Sequence, residues 1–186
     1  MIRLFIGIKM NHQDIFKKYQ QELQIILPES KINWTSEENF HITLKFLGDV
    51  KSYFVNSIKM VLEHITGNCP AFELISDRIG YFGKDSSPKV IWYGFKENQM
   101  ISSLQNHIAS SLERLGFDIE EKRFYPHITL ARIKYLKELE EFKEFITGNK
   151  IRKIVMRVED IQLYKSILTQ SGPEYTILEN FILNKN

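Results

Sequence analysis

Two short stretches of this 186-residue chain carry side chains suited to proton transfer. His41-Ile42-Thr43-Leu44 recurs as His127-Ile128-Thr129-Leu130, 86 positions on (127 − 41). On a strand, residues i and i+2 share a face. Each copy therefore presents one imidazole and one hydroxyl together, with Ile and Leu opposite. Two such strands side by side would put two histidines and two threonines in one cleft. Histidine, with an unperturbed pKa of about 6.5, both takes and gives a proton near neutrality. A pair can act as base and acid on opposite sides of a phosphorus atom, and a positioned transfer contributes ~10²–10⁴-fold. A threonine hydroxyl beside each is placed to donate to a phosphoryl oxygen as charge develops. One such motif is ordinary strand sequence; the repeat is what points to acid–base chemistry on a phosphodiester.

Phe46 and Arg132 stand at the same place, five residues past each histidine. Strict alternation sends them to the face opposite the histidine, so either reaches the cleft only through a bulge or a strand end. If they do, an aromatic ring and a guanidinium plane can sandwich a base; otherwise Phe46 is core and Arg132 a surface charge. Near the C-terminal end Gln162, Tyr164 and Ser166 alternate with Ile161, Leu163 and Ile167, giving a polar face that lines the cleft or meets water. Trp34 and Trp92 are read as packing residues. Lys45, Lys51, Lys122, Arg123, Arg132 and Lys134 lie close to the motifs and offer a positive mouth for an anionic substrate. His12, His64 and His107 make no zinc-type spacing, and neither motif brings a carboxylate or third ligand, so no metal is expected. No Gly-rich phosphate loop is present, which argues against nucleoside triphosphate hydrolysis.

The elements that must position these residues follow from periodicity. Residues 2–8 read as a buried strand. From Asn11, a candidate N-cap, to Ile26 the apolar positions Ile15, Tyr19, Leu23 and Ile26 predict a helix ended by Pro28. A loop through Lys31 leads to Trp34 and the first motif strand, closed by Gly48-Asp49. Phe54, Ile58, Leu62 and Ile65 mark a second helix, ended by Gly67-Asn68. Strands at 71–79 and 89–95 flank a turn from Gly83 to Pro88. Ile101, Leu104, Ile108, Leu112 and Leu115 outline a third helix, and Leu139, Phe142 and Ile146 a fourth. The tail, 151–168 and 174–183 around Ser171-Gly172-Pro173, reads as a closing hairpin. Helix, motif strand, helix and two strands thus occur in both halves. The fold class expected is α+β: two pseudo-symmetric lobes, each an antiparallel sheet with two helices, around a central cleft, in one domain spanning 1–186.

A net charge of +2 is too small to argue for a nucleic-acid coat by itself. Cys69 is the only cysteine, so no internal disulfide forms and a cytoplasmic location is expected. The apolar run at the start is broken by Lys9, His12 and Asp14, too soon for a signal peptide, and no run approaches a membrane span.

His41-Ile-Thr-Leu-Lys-Phe-Leu-Gly48 and Phe124-Tyr-Pro-His-Ile-Thr-Leu-Ala-Arg132 resemble the paired motifs of the 2H phosphoesterases, in particular the RNA 2′,3′-cyclic phosphodiesterases historically called 2′-5′ RNA ligases. The likeness extends to Arg3–Ile6, Pro88–Gly94, Leu163–Ser166 and Tyr175, nearly the whole chain. It implies a bilobal fold and hydrolysis of RNA 2′,3′-cyclic phosphate ends to 2′-phosphate ends without a metal or other cofactor. It also implies reversible 2′-5′ ligation, with a 5′-hydroxyl in place of water. By the resemblance His41 is the proton donor and His127 the acceptor, with Thr43 and Thr129 beside them and Phe46 and Arg132 stacking on the base. Tyr164 and Ser166 are further candidates for substrate binding. The partner implied is an RNA or oligonucleotide with a 2′,3′-cyclic phosphate end, with no membrane, acted on by a monomer. Two alternatives stay open: another 2H activity on small cyclic nucleotides, and a non-catalytic RNA-binding module.

Overall fold

Leu4 to Ile8 are buried without a break in strand β1 (Ile2–Lys9), as expected of a strand covered on both faces. The computed structural model describes residues 1–118, 123–170 and 172–184. Helix α1 (Gln13–Ile26) buries Phe16, Tyr19, Gln20 and Leu23; it starts after His12, so Asn11 lies outside it and is not its cap. Lys31–Trp34, expected as loop, is a short strand, β2, and a 3₁₀ turn at Glu37–Asn39 leads into the first motif strand, β3 (His41–Val50). There follow α2 (Phe54–Gly67), β4 (Phe72–Lys84), β5 (Ser87–Phe95), α3 (Gln99–Glu113) and the second motif strand, β6 (His127–Tyr135). β4 runs farther than the sequence pattern indicates, leaving only Asp85-Ser86 between it and β5. After α4 (Leu139–Gly148) the tail divides into β7 (Val155–Val158), β8 (Asp160–Thr169) and β9 (Gly172–Ile182). β8 and β9 form the expected hairpin, whereas β7 pairs with β4 instead. Ser171 and the segment 119–122, with Glu120, Glu121 and Lys122, lie outside the described residues.

All nine strands join one antiparallel sheet in the order β7-β4-β5-β6-β3-β1-β8-β9, with β2 added to β6. Its middle is the pair of motif strands, which meet with Ile42 opposite Ile128. β3 carries β1, β8 and β9 outward; β6 carries β5, β4 and β7. Helices α2 and α3 pack together behind the first half-sheet, and α1 and α4 behind the second. The result is the expected two-lobed α+β fold with two helices to each lobe. The lobes are not the two halves of the chain, however. α1 and β2 precede the first motif yet belong to the second lobe, and the last two strands return to the first. Six crossings of the chain make the lobes one body with one core, into which Ile42, Leu44, Ile128 and Leu130 all point.

Gly7 shows how tightly the middle strands approach. It lies between Thr43 on β3 and Gln162 on β8, and a Cβ there would come within 2.8 Å of the Ile42 carbonyl oxygen. The obstacle is sheet backbone rather than a flexible side-chain tip. Gly7→Ala is expected to destabilise the fold by about 1–3 kcal/mol, as overpacked sites do. The measurement is a urea titration showing a lower midpoint at unchanged slope.

Candidate active site

Each motif strand is irregular at the same place, just past its threonine, and each has a second register shift farther along. β1 pairs Gly7 with Thr43 and Ile6 with Lys45, which leaves Leu44 as an extra residue in β3. β5 pairs Trp92 with Thr129 and Ile91 with Ala131, which leaves Leu130 extra in β6. A β-bulge of this kind puts two consecutive residues against one and re-aims the side chains beyond it. Leu44 and Lys45 are both buried, as are Leu130 and Ala131, and Phe46 and Arg132 then emerge on the side of the histidines. The ring of Phe5, cross-strand partner of Phe46, lies 5.9 Å from it and 4.7 Å from His41. The bulge supplies what strict alternation denied.

The same slip removes Lys45 from the positive mouth assigned to it. Lys45 is 2% exposed and its Nζ donates to the Asp118 carbonyl oxygen. Arg123 is bound to Glu97 at 2.5 Å. Arg132 remains, with Lys134 exposed two residues on, and its charge is felt by both histidines.

Both imidazoles are held in one way. Nδ1 of His41 bonds the carbonyl of Asn39, and Nδ1 of His127 that of Tyr125, each at 2.7 Å and each two residues back. A carbonyl only accepts, so both Nδ1 atoms carry the proton and Nε2 is the working nitrogen of each ring. His41 Nε2 lies 3.0 Å from Thr43 Oγ1, whose hydroxyl donates to it while the ring is neutral. With Ile42 opposite Ile128 in an antiparallel register, the residues on either side of that pair cross over. His41 faces Thr129, and Thr43 faces His127. The two histidines sit on a diagonal, as a base and an acid on either side of one phosphorus atom require.

Aromatic rings wall both histidines. Phe5 is 4.7 Å from His41 and Tyr175 meets it edge-on at 5.2 Å, with Tyr164 behind at 5.9 Å. Phe82 stands edge-on to His127 at 4.8 Å, with Trp92 at 6.4 Å. Burial among these rings pushes the His41 pKa down to about 4, helped by the charges of His127 and Arg132 and opposed by the bond to Asn39. Burial lowers that of His127 as well, with Arg132 adding to it and the bond to Tyr125 opposing. Both shifts favour the neutral ring.

Of the residues singled out from sequence, His41, Thr43, His127 and Thr129 come together, and Phe46 and Arg132 join them. Tyr164 reaches the site by stacking on Phe5 at 4.7 Å. Ser166 shares its face but sits two residues farther along β8, opposite Tyr175. Trp92 is a packing residue as expected, though it packs on the cleft side, under His127. Phe5, Phe82, Tyr125 and Tyr175 were not chosen as site residues. Only the alternation of β8, extended across its hairpin to Tyr175, carried a signal for one of them. Among the described residues no group of three or more His, Cys, Asp or Glu side chains is arranged to hold a metal ion, and no helix is long and apolar enough to cross a membrane.

The chain matches the family described as LigT like Phosphoesterase across residues 6–92 and 96–175. It is 32% identical over 178 residues to the RNA 2′,3′-cyclic phosphodiesterase of Thermotoga maritima, covering 95% of this chain and 93% of that one. With the protein of the same name from Archaeoglobus fulgidus it shares 31% over 181 residues, covering 97% and 99%. Its fold matches that of E. coli LigT crystallised with 3′-AMP at a TM-score of 0.77, with 23% identity and 99% of each chain covered. A Thermus thermophilus protein gives 0.82 at 22% identity, again over 99% of both chains. The family match takes in both motif strands, and the chain belongs to the LigT-like phosphoesterases of the 2H superfamily.

Proposed function

We propose that this protein hydrolyses RNA 2′,3′-cyclic phosphate ends to 2′-phosphate ends by metal-independent acid–base catalysis between His41 and His127. The observation that carries this reading is the diagonal pair of imidazoles, each fixed through Nδ1 and each with a threonine hydroxyl beside it. The names of the relatives from T. maritima and A. fulgidus support the choice of substrate.

His127 Nε2 takes a proton from water, whose oxygen attacks the cyclic phosphorus. The bond to the 3′-oxygen breaks, and His41 gives that oxygen its proton. Thr43 and Thr129 donate to the non-bridging oxygens, where negative charge gathers in the transition state. The terminal base is held between Phe46 and Arg132. If the 5′-hydroxyl of a second RNA replaces water, the same departure of the 3′-oxygen leaves a 2′-5′ linkage. Ligation and hydrolysis then differ only in the acceptor.

His41 must carry a proton to act as the acid, yet its pKa in the empty site is about 4. The substrate resolves this. A phosphodiester anion beside the ring favours the imidazolium and raises the pKa, as an opposite charge within ~4–6 Å does. Binding therefore takes up a proton, and a phosphate ligand binds more tightly as pH falls from the bound-state pKa toward about 4.

Replacing either His41 or His127 by Ala should lower turnover of an RNA 2′,3′-cyclic phosphate by ~10²–10⁴-fold, with the circular dichroism spectrum retained. Full activity in either variant overturns the assignment. The products of the unaltered protein should be 2′-phosphate ends, formed equally well in excess chelator; 3′-phosphate ends would reverse the direction of ring opening. For the proton donor the decisive measurement is the ¹H NMR titration of the His41 ring. Its midpoint should lie near 4 in the free protein and move up when a nucleoside 2′-phosphate is added. A midpoint that stays put or falls would remove His41 from the acid's role.

A further inference from the structure

Equivalent rows of side chains lead outward from the two bulges. In the first lobe Phe46 pairs with Phe5, and Phe5 with Tyr164. In the second Arg132 pairs with Val90, and Val90 with Phe82. Cross-strand partners share a face, so both rows lie on the side of the histidines. Their outer ends differ. Tyr164 is 5% exposed, because β9 runs along β8 and sets Tyr175 against Phe5 and His41. Phe82 is 39% exposed, because β7 pairs with β4 only from Phe72 to Ile75. Among the described residues no strand lies outside β4 at Phe82.

The open flank is built up around His127. Phe82 stands edge-on to that ring and lies 5.3 Å from Trp92. Trp92 crosses β4 at Gly80, where a Cβ would come within 2.3 Å of the indole. Beyond it the Arg78 guanidinium lies 5.8 Å from the ring centroids of both Trp92 and Tyr125. Asp77 engages Arg78 at Nη1, 3.2 Å away, and the side chain is 64% exposed, which leaves other donors of the fork for an anion. A phenyl ring and a guanidinium are thus displayed on one strand, both against the Trp92 ring at 5.3 and 5.8 Å, on the His127 flank.

In-line displacement puts the entering and departing oxygens on opposite sides of phosphorus. In the reaction proposed above, His41 serves the oxygen that leaves and His127 the one that enters. Whatever bears the entering oxygen therefore sits on the His127 flank. Water needs no platform there, whereas a nucleoside has a base to stack and a following phosphate to neutralise. We propose that Phe82 and Arg78 form an acceptor subsite for the 5′-hydroxyl end of a second RNA strand, Phe82 stacking on its first base and Arg78 pairing with its phosphate. This rests on the assignment of His127 as the base. The step balances without another reactant. The 5′-hydroxyl proton passes to His127, the bond from phosphorus to the 5′-oxygen forms, the bond to the 3′-oxygen breaks, and the 3′-oxygen takes the proton of His41.

The test supplies an oligonucleotide ending in a 2′,3′-cyclic phosphate with a second bearing a 5′-hydroxyl, and reads the ratio of 2′-5′ joined to hydrolysed product. The ratio cancels any loss common to both reactions. Phe82→Leu, which keeps an apolar contact with His127 but no ring face, should lower it about tenfold, within the range of one base–aromatic stack. Arg78→Gln should lower it several-fold and flatten its dependence on salt. An unchanged ratio in both variants overturns the subsite. So does a parent protein that hydrolyses the cyclic end but makes no joined product. A loss in Phe82→Leu that appears only in hydrolysis of oligonucleotide over mononucleotide cyclic phosphates also overturns it, by assigning Phe82 to the donor strand. A parent that hydrolyses no cyclic phosphate fails the proposed function itself, a separate result.

Discussion

Ile42 against Ile128 is the contact on which the site depends. β3 and β6 meet at that pair and are otherwise held by their outer neighbours, β1 on one side and β5 with β2 on the other. The two isoleucines point into the core, so the residues flanking them are turned the other way, into the cleft. A slip of one strand by one residue against the other would bury its histidine and expose its isoleucine, because side-chain direction has a period of two. The apolar cost of that exchange fixes the register, and the register fixes the diagonal of imidazoles. Catalytic geometry here follows from core packing.

The bulges add the second constraint. An extra residue interrupts the ladder, and the freed backbone groups must find partners. In β6 the carbonyl of the extra residue, Leu130, accepts from the Thr35 backbone N–H at 2.9 Å and from buried Gln20 Nε2 at 2.8 Å. Gln20 comes from α1 and also binds the Thr35 carbonyl at 2.8 Å. A polar residue within the apolar stripe of a helix thus secures the irregularity that turns Arg132 into the cleft. Lys45 has a comparable place in the other lobe, buried beside the bulge of β3 with its amine on the Asp118 carbonyl.

The repeat of His-Ile-Thr-Leu was enough to place two histidines and two threonines on facing strands, since a period of two and a shared core face are properties of sequence. Helix positions followed from their apolar stripes, though α1 begins later than Asn11 suggested. The bulges were not readable in this way. Leu44-Lys45 carries no local sign that a lysine will be buried, and its fate is decided by β1 and by the Asp118 carbonyl, residues far off in the chain. The same holds for β2, four residues long, whose strand character comes from lying along β6. It holds again for β7, which the pattern joined to β8 and the fold hands to β4. Phe5 and Phe82 entered the site by cross-strand pairing over long sequence separations, which no spacing within one segment reveals.

The aromatic walls bear on how a site so nearly symmetric would do the asymmetric chemistry proposed for it. Rings around both histidines exclude water, and both imidazoles are driven toward neutrality. The mechanism proposed above needs one of the two rings to act as an acid, and so to gain a proton first. Arg132 adds to this by disfavouring a second positive charge near either ring. In the mechanism proposed above, an anionic phosphodiester inverts the balance, because its charge favours one imidazolium. The ring that takes the proton is set by contacts that differ between the lobes. His41 has Thr43 at its Nε2 and lies closed in by Tyr175 and Tyr164, whereas His127 lies beside the open edge of β4. These contacts suit the roles proposed above, the enclosed ring as donor to the departing oxygen and the ring at the open edge as acceptor from what arrives from solvent. The division of labour proposed for the two identical motifs thus has a structural counterpart in β9 covering one lobe and β7 stopping short on the other.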